Sequence, residues 1–247
     1  MSKDSDDLQQ DTLAIRGGYQ RTQENEHAEA MFLTSSYVFE NAAMAAKYFS
    51  NEVQGNVYSR YTNPTVRSFE KRLAAMEGGE QSVATASGMA ATLSVIMALL
   101  QSGDHVVCSQ DVFGSTRVMM DKYIAKFGVS VTYVPLVDLN AWQAAIQPNT
   151  KMLFCETPSN PLSEIADLEA LSAVAKSADA RLVVDNCFCT PVLQKPLQWG
   201  ADIVVHSATK YIDGQGRCLG GAVVGSAALM EQVEGFLRAA GPTMSPF

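Results

Sequence analysis

The sequence is poor in long apolar runs and in positive charge. Its longest apolar stretch, MAATLSVIMALL at 89–100, is too short to span a bilayer, and its opening residues, MSKDSDDLQQD, lack the apolar core of a signal peptide. Eighteen lysines and arginines stand against 26 aspartates and glutamates, a net charge of −8. A nucleic-acid-binding protein would present a basic face. We therefore expect a soluble protein with neither a membrane nor a nucleic-acid partner.

Paired cysteines and nucleotide-binding motifs are also missing. The closest cysteines, Cys187 and Cys189, have CxC spacing rather than the CxxC spacing of zinc sites, and only three histidines are present. The cysteine count, five, is odd, and this favours free thiols in a reducing cytoplasm and no metal site. Neither GxGxxG nor GxxxxGK[ST] occurs, so a dinucleotide or ATP site has no support.

The pattern along the chain predicts an arm followed by one large α/β domain. Residues 1–60 are polar and irregular, with aromatic islands, and predict an N-terminal arm; residues 61–247 form the large domain. A helix is predicted from Asn63-Pro64 to Gly78-Gly79. Seven short apolar strands then alternate with helical segments, namely SVATAS, DHVVCS, VSVTYVPL, KMLFCET, RLVVDNC, ADIVVHS and GGAVVGS. This alternation predicts an α/β fold with a mostly parallel, buried sheet.

Polar residues follow several of these predicted strands. Lys210 comes after ADIVVHS, Asp185 ends RLVVD, and Asn160 follows KMLFCET after a proline-containing turn. Because the carboxyl ends of parallel strands share one edge, Asp185 and Lys210 can project into one site. Each also has an ordinary alternative: Lys210 as a solvated lysine, Asp185 as a turn cap or magnesium ligand, and Asn160 as a turn former.

A phosphate site is the next element of the pattern. Ser87, Gly88 and Met89 lie where a strand becomes a helix, and N–H groups at a helix start favour a phosphate, although Ser87 can equally be a plain N-cap. Ser207 and Thr209 add two hydroxyls beside Lys210. A partly desolvated lysine, an acid for a ring nitrogen and a phosphate cradle are together what pyridoxal 5'-phosphate requires.

The sequence resembles the Cys/Met-metabolism family of pyridoxal-phosphate enzymes, which includes cystathionine γ-synthase, the cystathionine lyases and the homoserine-ester sulfhydrylases. The resemblance extends from about residue 12 and is carried by five segments: YSRYTNPT (58–65), ATASGMAA (84–91), ETPSNP (156–161), VDNCFCTP (184–191) and HSATKY (206–211). Within the family, NVYSRYTNPTVR, DVFGST, HSATKYIDGQGR and AAGPTMSPF are most similar to the sulfhydrylases that act on O-succinylhomoserine.

The resemblance implies a role for each candidate residue. Lys210 would form the Schiff base with the cofactor and be the catalytic residue, and Asp185 would pair with the pyridinium nitrogen. Asn160 would lie near the phenolic oxygen. The phosphate would be held by Gly88, Met89, Ser207 and Thr209, with Ser87 shaping the turn and with Tyr58 and Arg60 reaching in from a neighbouring subunit.

Three departures from the family pattern are visible. Phe113 stands where many relatives have a tyrosine over the cofactor ring, so the stacking is kept and the hydroxyl is lost. Gln215 stands where many relatives have a histidine, as in the sulfhydrylase branch. Family members are also longer, so the expected fold is the large domain of the aspartate-aminotransferase type (fold type I), with a seven-stranded sheet and without the C-terminal small domain.

The resemblance further implies the reaction. It would be a γ-replacement that turns O-succinyl-L-homoserine and sulfide into L-homocysteine and succinate in methionine biosynthesis, catalysed by a cytoplasmic homotetramer built as a dimer of dimers. Cystathionine γ-synthase and a cystathionine or methionine γ-lyase remain as alternatives. A truncated chain that folds without catalysing anything is an alternative of another class.

Overall fold

The computed structural model describes residues 8–247, and within this range one sheet of seven strands organises the molecule. The strands are β1 (Gln81–Thr85), β2 (His105–Ser109), β3 (Ser130–Val134), β4 (Thr150–Glu156), β5 (Arg181–Asp185), β6 (Ile203–His206) and β7 (Gly221–Gly225). Their order across the sheet is β1-β7-β6-β5-β4-β2-β3. Each of the strand segments predicted from the sequence is confirmed.

The sheet is mostly parallel, as predicted. Parallel ladders join β3 to β2, β2 to β4, β4 to β5 and β5 to β6, while β7 runs antiparallel to both β6 and β1. The strands β2, β4 and β6 are short and mostly apolar, and nearly all of their residues are buried on both faces. Such runs suit a parallel sheet because helices cover it on both sides.

The described residues form nine α-helices and two short 3-10 helices, the latter at Ile124–Phe127 and Pro196–Trp199. The α-helices are α1 (Gln10–Arg16), α2 (Ala42–Phe49), α3 (Pro64–Glu77), α4 (Gly88–Leu99), α5 (Gly114–Lys122), α6 (Leu139–Ala144), α7 (Leu168–Ser177), α8 (Thr190–Leu193) and α9 (Ala227–Ala240). The limits of α3 are the predicted ones: the Asn63 side chain accepts the Thr65 N–H, Pro64 is the first residue, and Gly78 ends the helix with a φ of 79°.

The expectation of an irregular arm over residues 1–60 is wrong for two of its segments. Residues 1–7 lie outside the described range. Leu13 of α1 is buried. The residue that follows α1, Gly17, is hydrogen-bonded to α3, since Arg72 Nε donates to the Gly17 carbonyl at 3.3 Å. Helix α2 buries no residue. It is a short, alanine-rich helix whose N-cap is Asn41, and the Asn41 side chain accepts the Met44 N–H. The division between arm and large domain at residue 60 stays a prediction.

Two layers of apolar side chains fill the space between sheet and helices. One layer joins α4, α5 and α9 to the sheet, and the other joins α3, α6 and α7 to its opposite face. Successive residues of a strand point to opposite faces of the sheet. On β5 and β6, Val183 and Val205 therefore belong to the first layer, and Val184 and Val204 to the second. Across residues 8–247, no helix has the length and apolar character needed to cross a bilayer.

Candidate active site

The carboxyl ends of β4, β5 and β6 meet at one edge of the sheet. Glu156 at the end of β4 is in register with Asp185 at the end of β5, and Asp185 is in register with Val205 on β6. Lys210 follows in the turn after β6, where its N–H donates to the Ser207 carbonyl at 3.1 Å. The structure therefore places Asp185 and Lys210 at the same edge, as expected from their positions after two buried parallel strands.

Asp185 is a half-buried carboxylate with a raised pKa. Its Oδ1 accepts the Cys187 N–H at 3.1 Å. Burial raises the pKa of Asp185 to about 6, and the charge of His206 and the Cys187 N–H oppose that rise. The ionised form of such a carboxylate is strongly stabilised by a cation placed against it. This is the environment that a protonated ring nitrogen requires.

The position of Lys210 corrects one expectation. The sequence predicted a partly desolvated lysine, but the side chain is exposed in this chain. It sits on a turn beyond the sheet, closed by the Gly214 N–H donating to the Lys210 carbonyl at 2.8 Å, and the strands below do not enclose it. Burial raises the pKa of the Cys187 thiol to about 12, and the charge of Lys210 acts against that rise.

The turn between β1 and α4 packs against the turn that follows β6. Ser87 caps α4 by accepting the Ala90 N–H at 3.1 Å. Gly88 follows, and a Cβ added to it would lie 2.6 Å from the Ser207 Cβ and 3.0 Å from the Ser207 Cα. Glycine is required here because the two backbones approach so closely. The structure thus brings together the open first turn of a 12-residue helix and the Ser207 hydroxyl.

The remaining candidates on this edge are placed as follows. Met89 is half-buried, and its sulfur accepts the Thr116 hydroxyl of α5 at 3.8 Å. The Thr209 hydroxyl both accepts from and donates to the backbone of Gly220, at 3.1 Å each, so it ties the two ends of the loop that follows Lys210. Asn160 is half-buried in the turn after β4. Their contacts with a cofactor stay predictions.

Tyr58 and Arg60 lie in another environment. The Arg60 guanidinium stands 4.6 Å from the Tyr61 ring centroid and 5.6 Å from that of Tyr58, and it donates to the Arg238 carbonyl of α9. Among the described residues its hydrogen bonds are to Arg238 and Tyr61, not to the α4 turn. The structure does not join these two residues to Lys210 within one chain, and their role in a neighbouring subunit's site stays a prediction.

Two buried acids were missed by the sequence reasoning. Glu156 is 3% exposed, and its Oε2 accepts the Phe113 N–H at 2.6 Å. Burial, and then the charge of Asp185, raise the pKa of Glu156 to about 8. Glu77 is fully buried, with its Oε1 3.3 Å from His206 Nε2. Glu156 could have been noticed, because it ends its strand as Asp185 does; Glu77 gave no signal, since it is one of several charged residues on an amphipathic helix.

The Gly88 contact gives a first testable prediction. Gly88→Ala should lower the free energy of unfolding by about 1–3 kcal/mol, because its methyl group must displace the Ser207 backbone, and it should weaken phosphate binding at the α4 turn. The measurements are urea unfolding and equilibrium dialysis with pyridoxal 5'-phosphate. Gly114→Ala is the matched control, since Gly114 is also the first residue of a helix and nothing lies within 4 Å of its added Cβ. Equal effects of both substitutions would contradict the prediction.

Known proteins match the chain over nearly its whole length. The family model described as "Cys/Met metabolism PLP-dependent enzyme" matches residues 11–247. An O-succinylhomoserine sulfhydrylase of Pseudomonas aeruginosa is 63% identical over 237 residues, covering 96% of this chain and 59% of the relative. An L-methionine gamma-lyase of Pseudomonas putida is 39% identical, covering 95% of this chain and 60% of the relative. The chain thus spans about 60% of the length of these curated relatives.

Solved structures agree with the sequence matches. The crystal structure of metB from Corynebacterium glutamicum superposes with a TM-score of 0.93 at 34% identity, covering 99% of this chain and 62% of that one. A putative O-acetylhomoserine (thiol)-lyase from Campylobacter jejuni, which carries N'-pyridoxyl-lysine-5'-monophosphate, superposes with a TM-score of 0.91 at 31% identity, covering 97% and 67%. The expected fold type I architecture is confirmed, and the chain belongs to the Cys/Met metabolism family of PLP-dependent enzymes.

Proposed function

We propose that this chain binds pyridoxal 5'-phosphate at the edge formed by β4, β5, β6 and the start of α4. Three features of the site fit the group. The Gly88–Ser207 approach leaves a cradle that a Cβ would fill, next to the free N–H groups of a helix start. Asp185 is a carboxylate whose ionisation a pyridinium would favour. Lys210 is the amine on the same edge, after a buried strand.

The protein's own groups then have definite tasks. When bound, the cofactor supplies an electron sink for negative charge at the substrate Cα. Lys210 Nζ would hold the cofactor and would move protons at the substrate Cα and Cβ. Asp185 would hold the proton on the ring nitrogen. Phe113 would present an apolar face to the ring and, having no hydroxyl, would take no part in proton transfer.

The reaction proposed for the protein is replacement of the succinyl group of O-succinyl-L-homoserine by sulfide, giving L-homocysteine and succinate for methionine biosynthesis. The observation that carries this proposal is the 63% identity to an O-succinylhomoserine sulfhydrylase, joined by a 45% identical protein of the same name from Mycobacterium tuberculosis. Fold and cofactor alone do not separate this reaction from a γ-elimination.

Self-association and a cytoplasmic location belong to the same proposal. Tyr58 is 42% exposed, and the Arg60 guanidinium donates to Arg238 and Tyr61 rather than to the Lys210 turn of its own chain. This supports a neighbouring subunit as the place where they act, in a homotetramer built as a dimer of dimers. Arg60→Ala should then weaken pyridoxal 5'-phosphate binding in the oligomer, and it should have no effect on binding in any monomer separated by size-exclusion chromatography.

Product analysis tests the reaction. The 247-residue chain, and a chimera in which the C-terminal part of the Pseudomonas aeruginosa relative follows Phe247, are given O-succinylhomoserine with sulfide or with cysteine. We expect homocysteine and succinate, formed with sulfide as the nucleophile. Cystathionine as the main product would assign a cystathionine γ-synthase, and 2-oxobutanoate with ammonia would assign a γ-lyase. A chain and a chimera that both fail to capture cofactor would indicate a non-catalytic protein.

A further inference from the structure

Glu156 lies in the candidate site, but the proposed function gives it no role in proton transfer. It ends β4 in register with Asp185 at the end of β5, so the two carboxyl groups project from the same face of adjacent parallel strands. Glu156 is the more deeply buried of the two, at 3% exposure. A buried acid beside another acid is costly, because like charges in a shared site cannot both ionise easily. Such an arrangement persists only where something compensates for it.

The partner of Glu156 is the backbone of Phe113. The Glu156 Oε2 accepts the Phe113 N–H at 2.6 Å, across 43 residues of sequence. Phe113 is the N-cap residue of α5 and makes no side-chain cap of its own. Its carbonyl accepts the Thr116 N–H at 2.8 Å, so the residue is held from β4 on one side and by the helix on the other. The backbone at the start of this helix is thus fixed from the sheet, without the Ser or Asp side chain that caps other helices.

The Phe113 side chain is 44% exposed. It lies between the end of β2 and the start of α5, at the same edge of the sheet as Asp185. The place that a half-exposed ring occupies depends on where its backbone is held. The hydrogen bond from the Phe113 N–H to Glu156 holds the Phe113 backbone in place. Because β4 is a central strand paired on both sides, Glu156 is itself rigidly placed.

We propose that Glu156 is a positioning residue, which holds the Phe113 ring over the cofactor through its hydrogen bond to the Phe113 N–H. The inference rests on the proposed function, because it assumes a cofactor ring beneath Phe113. In this role Glu156 contacts neither substrate nor cofactor. The two neighbouring acids then have separate tasks: Asp185 is the anion for the ring nitrogen, and Glu156 accepts the Phe113 N–H.

The protonation state of Glu156 determines which substitution mimics it. Its pKa of about 8 means that the group is mostly neutral at pH 7. Glutamine keeps the size, the neutrality and an oxygen acceptor for the Phe113 N–H. Leucine keeps most of the volume and removes the acceptor. The pair E156Q and E156L therefore separates the hydrogen bond from the packing.

A double-mutant cycle on cofactor affinity tests the proposal. The dissociation constant of pyridoxal 5'-phosphate is measured by equilibrium dialysis for the unchanged chain, E156L, E156Q, F113A and the double variant E156L/F113A. We expect E156L and F113A each to weaken binding about tenfold, as loss of a stacked aromatic ring does. The double variant should bind like F113A alone, because Glu156 has then no ring left to position, and E156Q should stay within about threefold of the unchanged chain.

Several outcomes would overturn the proposal. If the losses of E156L and F113A multiply in the double variant, Glu156 acts independently of Phe113. If E156Q loses as much affinity as E156L, the carboxyl charge matters and the hydrogen bond does not. If E156L does not fold, E156D replaces it in the cycle, since the shorter side chain withdraws the acceptor and is expected to show the same loss. Failure of the unchanged chain to bind the cofactor would instead refute the proposed function.

Discussion

Lys210→Ala is expected to abolish the covalent capture of pyridoxal 5'-phosphate. The unchanged chain, incubated with the cofactor and reduced with borohydride, should gain the mass of one reduced pyridoxyl-phosphate group on the peptide that contains Lys210. The variant should gain none there, because a methyl group cannot form the Schiff base. The free energy of unfolding should change by less than about 0.5 kcal/mol, since Lys210 is exposed and lies beyond the sheet.

A second lysine supplies the control for this experiment. Lys122, in the last turn of α5, is also exposed. Lys122→Ala should leave the capture at Lys210 intact, and non-specific modification of surface lysines would appear at Lys122 both in the unchanged chain and in Lys210→Ala. Capture at several lysines without preference for Lys210 would count against a cofactor site at this edge.

Asp185→Asn is expected to have two effects of opposite sign. In the chimera that carries out the proposed reaction, turnover should fall about 10²–10³-fold, the size typical of losing one preorganised charged group at the reacting centre. In the cofactor-free chain at pH 8, the same substitution should raise the free energy of unfolding by about 2–3 kcal/mol. Burial raises the pKa of Asp185 from 3.8 to about 6, and the asparagine oxygen can still accept the Cys187 N–H.

The pH dependence of this stability follows from the direction of the pKa change. The folded chain binds the Asp185 proton more tightly than the unfolded chain, so this group's contribution is fully present below about pH 4 and is lost as the pH rises through about 6. The asparagine side chain of D185N does not titrate and makes no such contribution. The difference between the two proteins in urea unfolding should therefore be small at pH 4 and reach its full size above pH 6.

Two other buried acids bear on that comparison. Burial raises the pKa of Glu70 to about 7, and this contribution is the same in both proteins. Burial, and then the charge of Asp185, raise the pKa of Glu156 to about 8, so D185N also removes this repulsion, which adds to the difference near pH 8. A stability difference that is independent of pH would show that Asp185 is not held in a desolvated state. A D185N variant that is destabilised at pH 8 would show that its carboxylate has a structural role.

Much of the fold was predictable because burial constrains the residue pattern. A strand covered on both faces must be a short run of β-branched and aliphatic residues, as in RLVV and IVV, and such runs are recognisable in the linear sequence. Helix α3 was predictable at both ends because Asn63, Pro64 and Gly78 each have a local structural reason to stand where they do. The two short arm helices were missed, since short helices with little or no buried face carry a weak periodic signal.

The candidate site divides in the same way. The sequence by itself determined that Asp185 and Lys210 lie at one edge of the sheet, because each follows a buried strand and parallel strands end together. Only the tertiary structure decided that Gly88 must be glycine against Ser207, that Thr209 is tied to Gly220, that Lys210 is exposed in this chain, and that Glu156 holds the Phe113 backbone. These are contacts between segments distant in sequence. A local pattern records how a segment folds, whereas the energy of such a contact depends on the distance between two segments that only the packed fold defines.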